Sequence, residues 1–513
     1  MAAPIPPSPP PREIELKLEG EEDDLRQALA AAGGSGEART TLRAVYFDTQ
    51  AQALRKAGLS LRVREEGGRR LQTVKARAPD ASLLERSEWT GEVDGEAPDL
   101  TLAEGTPLAA LLAEEAEGAV RPLFRVEVER LSRIVHEGAS RIELVLDQGT
   151  VIAGERRARI AEIELELKEG EPAALFRLAT RLGEAAPLRL ALATKAERGY
   201  ALLREGGPRV RKAEALALDA EMGAGAAFQA IARSCLRQVV ANEAVLRATR
   251  APEAVHQMRV GLRRLRAALT LFKPMLADER FAGLRASLRS MAGALGAARD
   301  LDVFISGVLE PALAREPDDP GLGGLLADYR RRRDEAYDEA VAAVDSAGFR
   351  RGVIGALAWI ESGPWLTLEE TAPSRDAPLR EQAAAILGRR WRKLRRGGRG
   401  LARMAAEERH QVRIEAKKLR YAVEFFDGLF RGDGARSRHR AMLEALQALQ
   451  AALGDLNDVA TGAHLARAPA EGGPEAEALA RLMDHGQQTR LDHLLTETKS
   501  AWRAFKRAEP FWE

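Results

Sequence analysis

Two stretches decide how the first part of this chain folds: Glu13-Ile-Glu-Leu-Lys17 and Ile160-Ala-Glu-Ile-Glu-Leu-Glu-Leu-Lys168. Both alternate charged with apolar residues, the period of a strand whose two faces meet different surroundings. Leu59-Ser-Leu-Arg-Val-Arg64, Leu71-Gln-Thr-Val-Lys75 and Ile142-Glu-Leu-Val-Leu146 repeat the pattern, and Gly- or Pro-containing breaks separate many of these segments. Glu22–Ala32, Leu108–Glu117 and Ala173–Leu182 read as helices, so this half predicts a sheet with helices packed outside. The charges are also sorted by sign. Glu13, Glu15, Glu162, Glu164 and Glu166 make two acidic strands, whereas Arg62, Arg64 and Lys75 make two basic ones. A face that only meets water usually mixes signs, because like charges opposite one another across strands cost stability. Sorted clusters become favourable when they share something of opposite charge: carboxylates hold a divalent cation such as Mg²⁺, and Arg and Lys hold phosphate oxygens. A closed antiparallel sheet with charges inside and apolar residues outside is one geometry that brings the two sets together around a compact polyanion bridged by metal.

From about Leu216 the period becomes 3.6, and the segments become long and rich in Ala, Leu, Arg and Glu, so the second half predicts an all-α fold. Glu205-Gly-Gly-Pro-Arg-Val-Arg-Lys212 has the composition of a linker, and a second irregular stretch runs from Glu361-Ser-Gly-Pro to Arg380. The helical half repeats itself. His256-Gln-Met-Arg-Val-Gly-Leu-Arg-Arg-Leu-Arg266 recurs as His410-Gln-Val-Arg-Ile-Glu-Ala-Lys-Lys-Leu-Arg420, and Leu295-Gly-Ala-Ala-Arg-Asp300 recurs as Leu453-Gly-Asp-Leu-Asn-Asp458. Matched order and spacing indicate a duplicated unit, hence two antiparallel bundles related by an approximate twofold axis. The expected organisation is a Pro-rich tail over 1–11, a sheet domain over 12–204, a linker over 205–217 and a helical domain over 218–513, duplicated as about 218–360 and 380–513.

Composition narrows the function classes. The 513 residues carry a net charge of +1 and one cysteine, Cys235, which excludes an internal disulfide and a cysteine-based zinc site and suits a reducing compartment. No apolar run approaches the roughly 20 residues of a membrane span, and the Pro-rich start does not read as a signal peptide, so cytoplasm is the expected location and no membrane partner is expected. The small net charge hides an asymmetry: residues 1–210 hold 30 Lys+Arg against 36 Asp+Glu, and the remainder holds 48 against 41. Acid in front and base behind suit cations in one half and anions in the other. No Ser-His-Asp or Cys-His constellation is visible in the first half, whose one histidine, His136, reads as a surface residue.

On a helix with 100° per residue, His256, Arg259, Arg263 and Arg266 fall within an arc of about 80°, opposite Met258, Leu262 and Leu265. His410, Arg413, Lys417 and Arg420 repeat the arc, opposed by Val412, Ala416 and Leu419. Like charges at i,i+4 cost about 0.2–0.5 kcal/mol per pair unless an anion or an acidic neighbour answers them. Asp300 and Asp458 read as supports that orient the basic residues. Arg330 to Arg333 and Arg389-Arg-Trp-Arg-Lys-Leu-Arg-Arg396 add charge without a diagnostic pattern. Low aromatic content, 5%, argues against stacking on single-stranded nucleic acid.

The first half resembles the CYTH domains, the triphosphate tunnel metalloenzymes. Glu13-x-Glu15-x-Lys17 is similar to their ExExK signature, and the likeness continues through Tyr46-Phe-Asp-Thr49, Leu61-Arg-Val-Arg64, Thr73-Val-Lys75, Arg86-Ser-Glu88, Pro122-Leu-Phe to Arg130, Leu146-Asp-Gln-Gly149, Ala161-Glu-Ile-Glu-Leu-Glu166 and Thr194-Lys-Ala-Glu-Arg-Gly-Tyr200. The resemblance implies an eight-stranded antiparallel barrel that forms a tunnel, with flanking helices, in an α+β domain. It also implies metal-dependent hydrolysis of inorganic triphosphate with Mg²⁺, or Mn²⁺ in its place. Glu13, Glu15, Glu162, Glu164 and Asp147 would hold metal or orient water, and Arg62, Arg64, Lys75, Arg130 and Lys195 would grip phosphate oxygens. Lys17 would sit near the scissile phosphate. Glu166 and Arg125 flank matched positions, and Arg86 and Glu88 read equally as an ion pair in the wall. The same tunnel in other members makes cyclic AMP from ATP or processes other organic triphosphates such as thiamine triphosphate or an RNA 5′-triphosphate end; a non-catalytic polyphosphate scaffold is the remaining alternative.

The second half resembles the CHAD domain through the two His-x-x-Arg helices, the Leu-Gly segments, Asp345-Ser-Ala-Gly-Phe-Arg350 and Trp502-Arg-Ala-Phe-Lys-Arg-Ala-Glu-Pro-Phe-Trp512. That resemblance implies inorganic polyphosphate binding by His256, Arg259, Arg263, Arg266, His410, Arg413, Lys417 and Arg420, with an association with polyphosphate granules. No sequence-specific nucleic-acid recognition is expected.

Overall fold

The computed structural model describes residues 12–76, 85–114, 119–204, 206–432, 434–465, 473–484 and 487–513. The chain divides into two compact units. One runs up to Arg211 and takes in residues 240–249 and 345–363; the other comprises 212–239, 250–344 and 364–513. Within the first unit, Arg189 reaches Asp345 at 2.5 Å, and Arg247 meets the same carboxylate at 2.9 Å.

Nine strands form the sheet of the first unit: β1 Arg12–Glu19, β2 Ser35–Asp48, β3 Leu59–Glu66, β4 Arg69–Ala76, β5 Glu85–Glu92, β6 Arg121–Glu137, β7 Ser140–Ala153, β8 Arg156–Glu169 and β9 Arg189–Ala191. Their order is β5-β4-β3-β2-β6-β7-β8-β1-β9, with antiparallel neighbours and a further β5–β1 ladder. Tight turns make the sequential pairs; Gly67 and Gly68 between β3 and β4 both have φ in the left-handed region, 58° and 80°, which a two-residue hairpin turn requires. The sheet keeps the antiparallel arrangement of eight strands expected from the sequence and adds a ninth, β9, beside β1. One edge of β1 is shared, its residues 12–14 pairing with β5 and its residues 17–19 with the added strand β9. The join between the first and last of the eight strands is therefore only three residues long, and β9 takes up backbone groups of β1 that β5 does not reach.

Alternation sets the two faces. On the outer face Leu16 lies opposite Leu165 and Leu18 opposite Ile163, beneath the helices Glu22–Ala32 and Ala173–Ala185. Leu25, Leu175, Leu178 and Leu182 of those helices are fully buried, each worth about 1.5–3 kcal/mol relative to exposure. The inner face is not charged throughout, which the sequence reading did not foresee. The helix Lys195–Leu202 rests on one end of it, and there the strands present Leu42, Ala44, Tyr46, Phe124, Val126, Val128, Val151 and Ile160 to Ala196 and Tyr200. Only the rest of the inner face carries charge, because a helix seated on a sheet needs apolar residues beneath it.

The second unit is all helix, built around the duplicated segments. Pro252–Leu271 packs on Phe281–Ala294, on Gly296–Phe304 and on Ala406–Phe425; the last packs in turn on Leu379–Gly397 and Ala435–Leu465. Phe272 and Phe426, each sixteen residues after its repeat histidine, meet edge to face with centroids 6.1 Å apart. Contact between equivalent residues is what a twofold relation produces. Phe228 extends this core to Phe272 and to the fully buried Trp365. Among the described residues no helix is long and apolar enough to cross a membrane.

Candidate active site

Strand register gathers the charges of the inner face. Arg130 on β6 lies opposite Asp147 on β7, Asp147 opposite Glu162 on β8, and Glu164 opposite Lys17 on β1. The helix Lys195–Leu202 completes the cluster. It is started by a capping box in which the Thr194 hydroxyl accepts from the Glu197 N–H and the Glu197 carboxylate accepts from the Thr194 N–H. That start points Lys195 among three carboxylates: Nζ lies 2.7 Å from Asp147, 2.6 Å from Glu162 and 2.9 Å from Glu164. Arg130 donates two hydrogen bonds to Asp147, at 2.8 and 2.6 Å, and a third to Glu164 at 3.2 Å. Lys17 bonds to Glu164 and sits 3.4 Å from Glu15. Arg198, one turn beyond Lys195, reaches Glu162 and Glu19 at 3.1 Å each.

Asp147 and Glu162 are wholly buried, and each is answered there by cationic partners, the condition under which a buried carboxylate is tolerated. Burial alone would raise the Glu164 carboxyl, yet Lys17, Lys195 and Arg130 hold it well below the usual range. Burial likewise opposes ionisation of Asp147, and Lys195 and Arg130 outweigh it. Lys195 is the mirror case: burial would lower its ammonium, and Glu164, Glu162 and Asp147 raise it well above normal.

The rest of the helix is an anchor. Tyr200 donates to Asp48 at 2.6 Å, and the buried Asp48 also accepts the N–H groups of Thr49, Leu54 and Arg55 at 2.7, 2.9 and 3.1 Å. Burial, and then the Asp48 carboxylate, push the Tyr200 phenol far above its ordinary value. Gly199 lies so close to Phe124 that a Cβ there would come within 2.1 Å of the ring.

A second group lies on the neighbouring strands. Lys75 bridges Glu13 at 2.6 Å and Glu88 at 2.8 Å. Burial, with the nearby Glu15 and Glu88 charges, raises Glu13 to about 7 against the pull of Lys75; Glu88, despite burial, is drawn to about 2 by Lys75 and Arg62. On β3, Arg64 pairs with Glu66 at 2.8 Å. Arg62 is different: its nearest acceptor is the Tyr46 hydroxyl at 3.5 Å, and among the described residues no carboxylate lies within 4.0 Å of its guanidinium.

In the helical unit both basic stripes lie half-buried along their helices, except His410, which is exposed. Arg259 donates to the Ala292 carbonyl at 3.1 Å and lies 3.9 Å from Asp300, while Arg420 meets Glu424 at 3.3 Å. The repeat is visible in detail: a Cβ on Gly296 would lie 3.3 Å from the Arg259 guanidinium, and one on Gly454 would lie 3.4 Å from that of Arg413. In each copy the Leu-Gly segment passes directly against the arginine of its His-x-x-Arg helix.

The CYTH domain family matches residues 11–200, and the CHAD domain family matches residues 230–467. The chain is a CYTH domain followed by a CHAD domain. A Haemophilus influenzae (strain Rd) protein named inorganic triphosphatase is 32% identical over 197 residues, which are 37% of this chain and 55% of that protein; the match thus spans about half the relative's length. The crystal structure of the CHAD domain from the plant Ricinus communis matches with a TM-score of 0.51 and 32% identity, covering 59% of this chain and 99% of that one.

Within the CYTH domain, Asp147, Glu162 and Glu164 form a group in which one carboxylate oxygen from each lies within 4.8 Å of the others. All three are buried oxygen donors, and a cation, the Lys195 ammonium, already lies among them. That donor set and that stand-in fit a hard divalent ion. Glu13 and Glu15 are not in this triangle: Glu13 faces Lys75 and Glu88, and Glu15 lies beside Lys17. Lys17, Arg130 and Lys195 converge on the triangle, whereas Lys75 and Arg62 line the neighbouring strands. Glu166 is engaged by Lys168 at 2.6 Å, Arg125 pairs with Glu127 at 3.2 Å, and His136 is exposed. The side chains of Arg86 and Asp458 lie outside the described residues. Sequence reasoning missed Arg198 and Glu19. Arg198 was signalled by its position three residues after Lys195, which puts both on one side of a helix. Glu19 was signalled by continuing the alternation of Glu13, Glu15 and Lys17.

Proposed function

We propose that the CYTH domain hydrolyses inorganic triphosphate to pyrophosphate and phosphate, and that the two basic stripes of the CHAD domain bind inorganic polyphosphate. The observation that carries the first part is the opposition of Asp147, Glu162 and Glu164, clustered and buried, to Arg62, a guanidinium with no carboxylate partner among the described residues. Such a lining offers oxygen donors to a divalent cation and a guanidinium to an anion. The name of the Haemophilus relative supports the same chemistry.

In this reading Asp147, Glu162 and Glu164 hold Mg²⁺, or Mn²⁺ in its place, with Glu13 and Glu15 holding metal or orienting water. When bound, such an ion neutralises phosphate charge and lowers the pKa of a coordinated water. Arg62, Arg64, Lys75, Arg130 and Lys195 fix the phosphate oxygens, and Lys17 stabilises charge at the bridging oxygen that leaves with pyrophosphate. Water adds to the terminal phosphorus in line, that P–O bond breaks, and the products separate without a covalent enzyme intermediate. Lys195 and Arg130, both now bonded to carboxylates, turn towards phosphate as ligand binds. Polyphosphate would lie along His256, Arg259, Arg263 and Arg266 and along His410, Arg413, Lys417 and Arg420, held by phosphate contacts that read no sequence. The buried, solitary Cys235 suits a reducing compartment, and the reading places the protein in the cytoplasm with polyphosphate granules.

The test is to incubate the full chain with Mg²⁺ or Mn²⁺ and, separately, triphosphate, ATP, thiamine triphosphate and long-chain polyphosphate, measuring phosphate and cyclic AMP together. Phosphate release from triphosphate should exceed that from the other compounds. Cyclic AMP from ATP would replace the hydrolase by a cyclase, and inactivity on all four would leave a binding protein.

A further inference from the structure

The most basic run in the sequence, Arg389-Arg-Trp-Arg-Lys-Leu-Arg-Arg396, belongs to neither stripe. It lies on the helix Leu379–Gly397 of the second unit, and with the end of Pro252–Leu271 and the residues just after it this helix bounds a cleft of about 520 Å³. The volume falls within the roughly 300–1,000 Å³ usual for small-molecule sites. Six cations line the cleft: Lys273, Arg389, Arg390, Arg392, Lys393 and Arg396.

Their partners divide them. Glu415 takes Arg390 and Lys393, at 3.3 and 3.2 Å, and Arg390 also donates to the Thr270 carbonyl at 3.2 Å. Among the described residues no carboxylate lies within 4.0 Å of Lys273, Arg389, Arg392 or Arg396. Positions 389, 392 and 396 recur at helical spacing on one side of the helix, and Lys273 faces the same cleft from a different segment. In the stripes Arg259 and Arg420 have acidic neighbours, whereas Arg263 and Arg266 have no carboxylate within 4.0 Å among the described residues, so it is the enclosure of the cleft that sets the 389–396 cations apart.

The duplication separates this cleft from the stripes. Both copies carry a His-x-x-Arg stripe, but the helix that precedes it in the first copy, Ala224–Thr249, has only Arg233, Arg237 and Arg247 along 26 residues. Helix Leu379–Gly397 has seven Arg and Lys in 19. Whatever function the copies share, this concentration of charge was not needed for it. Like charges this close destabilise the free protein, and a bound anion removes that cost.

We infer that this cleft is a second anion site, which takes a compact ligand carrying three or more phosphate groups and binds it independently of the tunnel and of the stripes. An extended chain suits a long stripe; a bounded cleft with four unanswered cations suits several phosphates held close together. Leu271, Pro274 and Ile386 supply an apolar wall against which an organic group could rest. The shared chemistry is the triphosphate group, whether inorganic or attached to a nucleoside.

The experiment is calorimetric titration of the full chain, with metal chelated to prevent turnover, using tripolyphosphate and, separately, ATP. The variants are Arg389→Glu/Arg392→Glu/Arg396→Glu, Lys273→Glu and Arg62→Ala. Wild type should show two classes of tripolyphosphate site. The triple variant should lose one class and Lys273→Glu should weaken that class at least tenfold, while Arg62→Ala should weaken only the other. Because Lys273 lies outside helix Leu379–Gly397, agreement between the two cleft variants excludes a mere folding defect of that helix. ATP binding to the cleft class at least as tightly as tripolyphosphate assigns an organic triphosphate; weaker binding assigns an inorganic one. Unchanged tripolyphosphate stoichiometry and affinity in both cleft variants would overturn the inference, whatever Arg62→Ala did, and failure of Arg62→Ala alone would count against the tunnel reading instead.

Discussion

The inner face of the sheet and the helical unit both collect cations, but they pair them differently. On the inner face of the sheet nearly every ammonium and guanidinium is bonded to a carboxylate, and Lys195 alone touches three. In the cleft beside the 389–396 run four of the six lining cations have no such partner among the described residues. A buried group of both signs can bind metal and phosphate together and do chemistry on them. A surface of one sign can only attract, and its grip weakens with salt. The contrast teaches that positive charge by itself does not mark an active site; opposite charge buried beside it does.

The strongest attempt to break that contrast removes one carboxylate of the triangle. Glu162→Gln should lower phosphate release from triphosphate by at least about a hundredfold, on the scale of losing one preorganised electrostatic partner. It should also destabilise the protein, by up to about 3–5 kcal/mol, because Lys195 stays buried, and Arg198 half-buried, with a partner gone. Activity assays and chemical denaturation read the two effects. Retained turnover would mean that the triangle is structural.

On the other side of the contrast, reversing Arg259, Arg263, Arg413 and Lys417 to Glu should weaken long-chain polyphosphate binding. The slope of log K against log salt should fall by about three, at roughly 0.7 per lost phosphate contact. A parallel line of unchanged slope would place polyphosphate on another surface.

A smaller effect tests the seat of Lys195. Gly199→Ala forces a Cβ into the Phe124 ring, and overpacking of this kind costs about 1–3 kcal/mol. A lowered melting temperature with reduced turnover is the expected pair. Reduced stability with full activity would show that the helix does not position Lys195.

The smallest effect concerns pH. Burial lowers the His256 pKa, Arg299 on the adjoining helix and Arg263 and Arg259 on its own helix lower it further, and Glu253 opposes them. The imidazole is therefore neutral at pH 7, and a polyanion placed against it would favour protonation. Polyphosphate should then bind more tightly as pH falls below the ordinary histidine value of 6.5. His256→Gln should flatten that dependence; an equally steep profile would assign it elsewhere.

Much of this was legible in the sequence because alternation and helical period are local. Glu162, Glu164 and Lys17 declared themselves as an inward-facing row, and the two His-x-x-Arg segments declared the duplication. What the sequence hid depends on packing between distant segments. The apolar half of the inner face could not be told from the outer face until the helix Lys195–Leu202 was seen on it. The separation of Glu13 from the triangle follows from its facing Lys75, 62 residues away, and not from anything in the Glu13-x-Glu15 spacing. The 389–396 run read as undiagnostic because its meaning lies in Lys273 across the cleft and in which of its members Glu415 does not reach.

The most direct test of the central claim is a crystal structure of the full chain with Mn²⁺ and triphosphate, using anomalous scattering to locate the metal. The account predicts an anomalous peak bounded by oxygens of Asp147, Glu162 and Glu164, a phosphate chain against Arg62, and the Lys195 ammonium moved from the carboxylates to phosphate. Mn²⁺ located away from the triangle, with Lys195 still held by all three carboxylates, would contradict it.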